Sequence, residues 1–292
     1  MLFSMVHVSS FDPAEKMLEI ELRPSAPSLR ALSREVWDRV VEASGGAILR
    51  VQSGSEVDAY VLSESSLFVS DRAMSLLTCG RTLLPRSFMV LLDHIRPADF
   101  SGLRFSRQRD RFPTEALSSF EEDLAELSRV VEGSVETASS GVEQLATFEV
   151  GRLVFGFDFR IFMSGLGPIK RRLFEEPSAR PEALLRSLSL PGDEPETVQI
   201  HAFSPSGHSL NWVRGPEAFA VHVSPEPTAD VASVATNSRE PASRVALLES
   251  ALQIFEPEQV AILIDGRRLL ALEDARAELN AAEKRGRDAS LV

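Results

Sequence analysis

The feature that most constrains this chain is the recurrence, along its whole length, of short apolar and β-branched runs with polar ends. MLEIEL (17–22), GAILRVQ (46–52), AYVLSE with SLFVS (59–70), SLLTCG (75–80) and GLRFSR (102–107) come first. ATFEV, RLVFGFDF, TVQIHAF, HSLNWVR, AFAVHVS, VASVATN and QVAILID follow. Few stretches carry helical spacing. Ser33 precedes REVWDRVVEASGG, whose Val36, Trp37, Val40 and Val41 share one face and which closes on glycine. Ser119 with Glu122 forms a capping-box pattern opening 119–132, and Pro85, Pro181 and Pro241 mark further helix starts. Each half of the chain runs strands, then a helix, then further strands, with the weakest composition around 165–196. Hairpin-rich strands with helices on one side predict an α+β fold with antiparallel sheets. The charged stretch from Leu272 on reads as a peripheral helix or tail.

At 292 residues the chain can build one large domain or two modest ones. A net charge of −12 argues against a nucleic-acid or anionic-membrane surface and suits a cationic ligand. The lysines are Lys16, Lys170 and Lys284 alone, which makes a lysine Schiff base a weak candidate. A single cysteine, Cys79, excludes an intramolecular disulfide framework and a cysteine-cluster metal site. The opening MLFSMVHVSSFDP is too short and mixed for a signal peptide, and no apolar run approaches a membrane span. The expectation is a cytoplasmic globular protein.

One run breaks the strand pattern. DAYVLSESSLFVS (58–70) is apolar at both ends, but its centre is Ser63-Glu64-Ser65-Ser66. Buried in a strand, those groups need partners, at a cost of a few kcal/mol each if unmet. Elsewhere there is no Walker loop, Rossmann glycine pattern, G-x-S-x-G elbow or H-E-x-x-H. His7, His94, His201, His208 and His222 lack metal-ligand spacing, so no metal site is expected. On their residues alone, His201 and His222 are strand positions and Cys79 is a small buried hydrophobe. SPSG (204–207) is then a hairpin turn and SPEP (224–227) a turn closing a strand.

Taken in order, SFDPAEKMLEIEL, DAYVLSESSLFVS, LLTCG, FSPSGHSLN and VHVSPEP resemble the eukaryotic-type S-adenosylmethionine decarboxylases. The likeness is clear from Phe11 to about residue 110 and from 197 to about 257, and blurred between 134 and 196. It implies a four-layer αββα sandwich, two antiparallel sheets with helices outside and internal two-half similarity, in one domain over 1–292. Members of that family are proenzymes that cut themselves at a Glu-Ser bond, here Glu64–Ser65. The products would be a β chain of residues 1–64 and an α chain of 65–292 headed by a pyruvoyl group, still associated because the cut lies inside a strand. By the same likeness Ser65 is the attacking hydroxyl and the precursor of the pyruvoyl cofactor, which forms the Schiff base with substrate. Ser209 and His222 assist processing, Cys79 donates the proton after decarboxylation, and Asp12 and Glu15 are acidic residues of the catalytic site. Phe11 and Phe203 sandwich the adenine of S-adenosylmethionine, Glu226 holds the ribose hydroxyls, and Glu64 borders the site.

Some positions depart from that pattern. Asp12 shortens the usual glutamate, and Ser204 stands where many relatives carry asparagine. Ala235 replaces a glutamate of the putrescine pocket of animal-type enzymes. Arg104 takes an aromatic position of that pocket, as in plant-type enzymes, and Glu19 persists and is expected to pair with it. Activity and processing without putrescine are therefore expected. The partners implied are S-adenosylmethionine and the chain's own cleaved β chain; monomer and homodimer both remain open. Two further readings are a pyruvoyl enzyme shifted to ornithine or arginine, and a catalytically inactive regulatory paralogue. Retained Phe11, Phe203 and Glu226 speak against the first. Intact Ser65, Cys79, Ser209 and His222 speak against the second.

Overall fold

Alternation of side chains along the strands, with one face buried under helices and the other against a second sheet, sets the architecture. The structure, a computed structural model, describes residues 12–175, 181–192, 194–204, 206–226 and 229–289. Sheet one is built from β1 (Lys16–Leu22), β2 (Ile48–Ser53), β3 (Val57–Leu62), β4 (Ser65–Ser70), β5 (Ala73–Thr78), β6 (Phe100–Gln108), β7 (Ser134–Ser140) and β8 (Glu143–Gly151). Sheet two is built from β9 (Phe159–Ser164), β10 (Thr197–Ala202), β11 (His208–Arg214), β12 (Glu217–Ser224), β13 (Val231–Thr236), β14 (Gln259–Ile264) and β15 (Arg268–Ala271). Their orders are β2-β3-β4-β5-β1-β6-β8-β7 and β10-β11-β12-β13-β9-β14-β15, antiparallel throughout. In each half the first strand is inserted between the fifth and the sixth. The first six strands of each sheet share one order; past the sixth, sheet one adds two strands and sheet two adds one.

Three apolar layers hold the sandwich together. Leu18, Ile20, Leu67, Val69, Leu76 and Phe105 pack sheet one against α1 (Arg34–Ser44), α2 (Leu84–Leu91) and α3 (Phe120–Leu127). Ile161, Met163, Leu210, Trp212, Phe219 and Val221 do the same for sheet two against α4 (Pro168–Glu175), α5 (Glu182–Arg186), α6 (Pro241–Phe255) and α7 (Leu272–Ala289). The layer between the sheets is thinner: Met17, Val57, Ala59, Phe68, Leu77, Phe157, Val213, Ala220 and Ala235. A second apolar patch of Leu145, Phe162, Ala261, Leu263 and Leu269 bridges the sheets farther along, and buried polar and charged residues share the seam with both. The α+β, four-layer expectation and its two-half similarity hold.

The capping box forms as the residues predict, but α3 ends at Leu127 rather than at 132, and Ser33 stands at the N-cap of α1 without a side-chain cap bond. The Ser119 hydroxyl accepts from Glu122 N at 3.2 Å and the Glu122 carboxylate accepts from Ser119 N at 2.8 Å. α1 stops at Gly45, whose φ of +98° suits glycine. The stretch from Leu272 is a helix, docked through buried Ala275 and Leu279.

Two strand expectations need correction. RLVFGFDF (152–159) is not a strand: β9 begins at Phe159, and the preceding amides are captured by carboxylates of β1. Glu21 accepts from Val154 N and Phe155 N, and Glu19 from Phe157 N at 2.7 Å. The run 59–70 is not one strand carrying a bond in its middle. It is a hairpin, β3 paired with β4 as Tyr60↔Leu67 and Val61↔Ser66, turning at Ser63–Glu64. Ser63 fastens the corner, its N donating to Ala47 O at 2.8 Å and its hydroxyl accepting from Ala47 N at 2.9 Å. The Glu64–Ser65 bond therefore lies where the turn meets β4.

Candidate active site

The inner face of sheet two is ordered in cross-strand rows. One runs His201, Ser209, His222, Ser233, Phe162 from β10 to β9; the next runs Gln199, Asn211, Ala220, Ala235, Arg160. The first row meets the β3–β4 corner. Ser65 Oγ lies 2.7 Å from His222 Nε2, and Ser66 Oγ lies 3.2 Å from the same nitrogen. Ser66 donates to Asn211 Oδ1 at 2.5 Å and stands 3.3 Å from Ser209 Oγ, while Asn211 Nδ2 donates to Tyr60 O at 3.0 Å. Asn211 thus ties both strands of the hairpin to sheet two.

Consecutive residues of a regular strand point to opposite faces. Ser65 and Ser66 nevertheless aim at one imidazole. The departure from strand geometry is in the backbone: Ser65 has φ of +151°, a region that side-chain-bearing residues rarely adopt and that costs of order 1–3 kcal/mol. The carbonyl before it is also held. Glu64 O accepts from Cys79 N at 3.3 Å, with Cys79 Sγ at 3.5 Å.

Burial sets the charge states. It drives the His222 imidazole down to about 3, so the ring is neutral across ordinary pH. Burial first, then the carboxylates of Glu64, Glu15 and Glu226, push the Cys79 thiol far above its usual value. Cys79 is therefore a thiol, not a thiolate. Burial also raises Glu64, Glu226 and Glu15, and for Glu15 the Arg160 guanidinium opposes it.

Glu15, Cys79 and His222 line one cleft together with Phe162, Ser224 and Ser233. Phe203 stands on the β10–β11 hairpin, half-buried, in edge contact with His201 at 4.8 Å between ring centres. Glu226 follows β12, with Oε2 buried and unpartnered and the Ser206 hydroxyl beside the carboxylate. Ser204 is exposed. Asp12 is a brace by its contacts: Oδ1 accepts from Ala14 N and Arg111 N, Oδ2 from Phe112 N, and its carbonyl from Gly80 N. Phe11 lies outside the described residues. Arg104 does pair with Glu19, at 2.6 Å, and bridges to Asp158 at 2.7 Å on the other side of the seam.

Sequence reasoning missed Ser66, Asn211, Ser233 and Arg160. A signal for two of them was present. Asn211 and Arg160 are polar residues inside otherwise apolar strand runs, LNWV and FRIFM, which is costly when buried without a partner opposite.

Fold and site together define an internally duplicated two-sheet enzyme whose reactive hydroxyls, imidazole and thiol meet where a hairpin of one half touches the sheet of the other. The family described as adenosylmethionine decarboxylase matches residues 8–144 and 160–285, and the chain belongs to that family of carboxy-lyases. S-adenosylmethionine decarboxylase proenzyme 2 of Dianthus caryophyllus is 28% identical over 281 residues, covering 87% of this chain and 74% of that one. The proenzyme of Leishmania donovani is 27% identical over 279 residues, covering 87% and 73%. Among solved structures, the Trypanosoma brucei AdoMetDC-delta26 monomer aligns with a TM-score of 0.50 at 21% identity, over 67% of this chain and 78% of that one, a likeness of fold.

Proposed function

We propose that this chain decarboxylates S-adenosylmethionine with a pyruvoyl group made from its own Ser65. One observation carries the reading: at a peptide of strained φ, the Ser65 hydroxyl sits 2.7 Å from a neutral His222 nitrogen while Cys79 N–H holds the preceding carbonyl. These residues fit the making of the group in place. The Ser65 hydroxyl adds to the Glu64 carbonyl carbon, and the amide becomes an ester with the Ser65 nitrogen freed. The Cys79 amide steadies charge on the Glu64 oxygen, as donors aimed at an oxyanion do. His222 then takes the Ser65 α-proton and the Glu64 carboxylate leaves. The dehydroalanine that remains hydrolyses, releasing ammonia and leaving the pyruvoyl end.

Held at the head of β4, that group would supply an electrophilic carbonyl for a substrate amine and an electron sink for decarboxylation. The chain's own residues do the rest. Cys79, held protonated, supplies a proton to the substrate carbon. Glu15, Glu64 and Glu226 surround it with negative potential suited to a sulfonium cation. Phe203 offers an adenine face, and the unpartnered Glu226 oxygen an acceptor for ribose hydroxyls. Arg104, locked between Glu19 and Asp158, fills with a fixed cation the place a diamine would take, which supports processing and turnover without putrescine.

Intact mass of the purified protein tests this. Two chains divided at Glu64–Ser65, the larger with a pyruvoyl end, are expected, with carbon dioxide released from S-adenosylmethionine rather than from ornithine or arginine. Ser65→Ala should abolish cleavage; Cys79→Ala, which keeps the backbone amide, should still cut but turn over poorly. An uncut chain without release sinks the reading, and a large rate increase on adding putrescine sinks its diamine-independent part.

A further inference from the structure

Arg160 is wholly buried on β9, yet its guanidinium belongs to the other sheet. Nη1 lies 3.2 Å from Glu15 Oε1, just before β1, and Nη2 donates to Ser106 Oγ on β6 at 2.8 Å. Its cross-strand neighbour in the row is Ala235, followed by Ala220, and these small side chains leave the seam open for the long one to cross. Nothing among the groups assigned above uses this arginine. It grips one oxygen of Glu15; the other, Oε2, is buried with the Ser233 hydroxyl as the polar group beside the carboxylate, on a residue that lines the cleft with Cys79 and His222.

We propose that Arg160 is a positioning residue for Glu15: it holds the carboxylate from the opposite sheet so that the second oxygen serves a cationic substrate group in the cleft. This rests on the reading above and deepens it. The ionisable groups around Glu15 are Arg160 from β9, Glu143 at the start of β8, Cys79 after β5, His222 from β12, Arg111 after β6 and its neighbour Lys16. Arg111 is engaged by Glu143 at 2.8 Å, and Lys16 donates to Gly80 O and Thr82 O. Burial and Glu143 push Glu15 up; Arg160 first, and then the Ser233 hydroxyl, work against both.

The test reads Glu15 directly. In protein carrying ¹³C-labelled glutamate carboxyls, the signal lost in Glu15→Gln is followed with pH. In Arg160→Met its midpoint should rise by about 1–3 pH units, because the opposite charge is gone. In Arg160→Lys the midpoint should stay near that of the natural protein, while kcat/KM still falls because a point charge cannot bridge Glu15 and Ser106. kcat/KM of Arg160→Met should fall by about 10- to 100-fold, with no further fall when Glu15→Gln is added. An unmoved midpoint in folded Arg160→Met, full additivity with Glu15→Gln, or undiminished kcat/KM in Arg160→Lys overturns the proposal. The titration needs no substrate, so absence of decarboxylation would sink the functional reading and leave this test standing. If Arg160→Met does not fold, Arg160→Lys decides.

Discussion

A histidine stripped of water and left without a carboxylate partner behaves unlike the exposed side chain. His222 in the unfolded chain takes a proton near 6.5, and in the folded one only near 3. Between those values the unfolded state binds more protons, so stability falls as pH is lowered through that window, by up to about 1.4 kcal/mol per pH unit. Denaturation midpoints of Ser65→Ala protein should show this fall, and adding His222→Gln should flatten it; equal slopes would contradict it. By the same argument the rate of chain cleavage should be level between about pH 5 and 8 as far as this ring is concerned, and a midpoint at the ordinary histidine value near 6.5 would show an accessible imidazole. Asn211 offers a second check. Asn211→Leu removes the 2.5 Å acceptor of the Ser66 hydroxyl, which keeps only its longer contacts to Ser209 and His222, and leaves the Tyr60 carbonyl without its side-chain donor. It should cost about 1–3 kcal/mol in denaturant unfolding and slow cleavage of the chain.

At the scale of elements, legibility followed burial. β1, β5, β11 and β12 were readable because sheets with one helix-covered face force apolar side chains to alternate. β7, SVETASS, is a largely exposed edge strand with no such signature, and in α4 the one buried residue is Phe174. RLVFGFDF failed for a different reason: its residues suit a strand, but two carboxylates of another strand take its amides. Local pattern cannot see a partner more than 130 residues away. The same blindness hid the turn in DAYVLSESSLFVS, where the polar centre is a corner. In the site, the geometry brings Glu15, Glu64, Ser65, Cys79, Ser209 and His222 near one another, whereas the importance of Arg160 and Asn211 lies in what faces them from the other sheet. The capping box was readable because both partners are local. Ser119→Ala should lower stability by about 1 kcal/mol without affecting cleavage, as thermal unfolding and mass together would show.

Across the whole molecule the seam between the sheets carries alternating charge, from Glu15 and Arg160 near the cleft to Glu19, Arg104 and Asp158 farther along. Removing one member leaves buried charge uncompensated. Arg104→Met should cost about 3–5 kcal/mol, read by denaturant unfolding. Gly266→Ala should act the same way, since a Cβ there would come within 2.0 Å of Arg104 Nη1. An unchanged midpoint in both would mean the network is not a structural element. The duplicated topology has a consequence of its own. β1 lies between β5 and β6, so a cut at Glu64–Ser65 would give the central strand of sheet one to the smaller chain and both its neighbours to the larger. Folding of the precursor is a search by one molecule. After the cut it would be a search by two, whose success depends on dilution. The mature protein would then be an assembly that forms once from its precursor and, after denaturation, returns only at high concentration or not at all. Ser65→Ala protein, never divided, should recover from denaturant at any concentration.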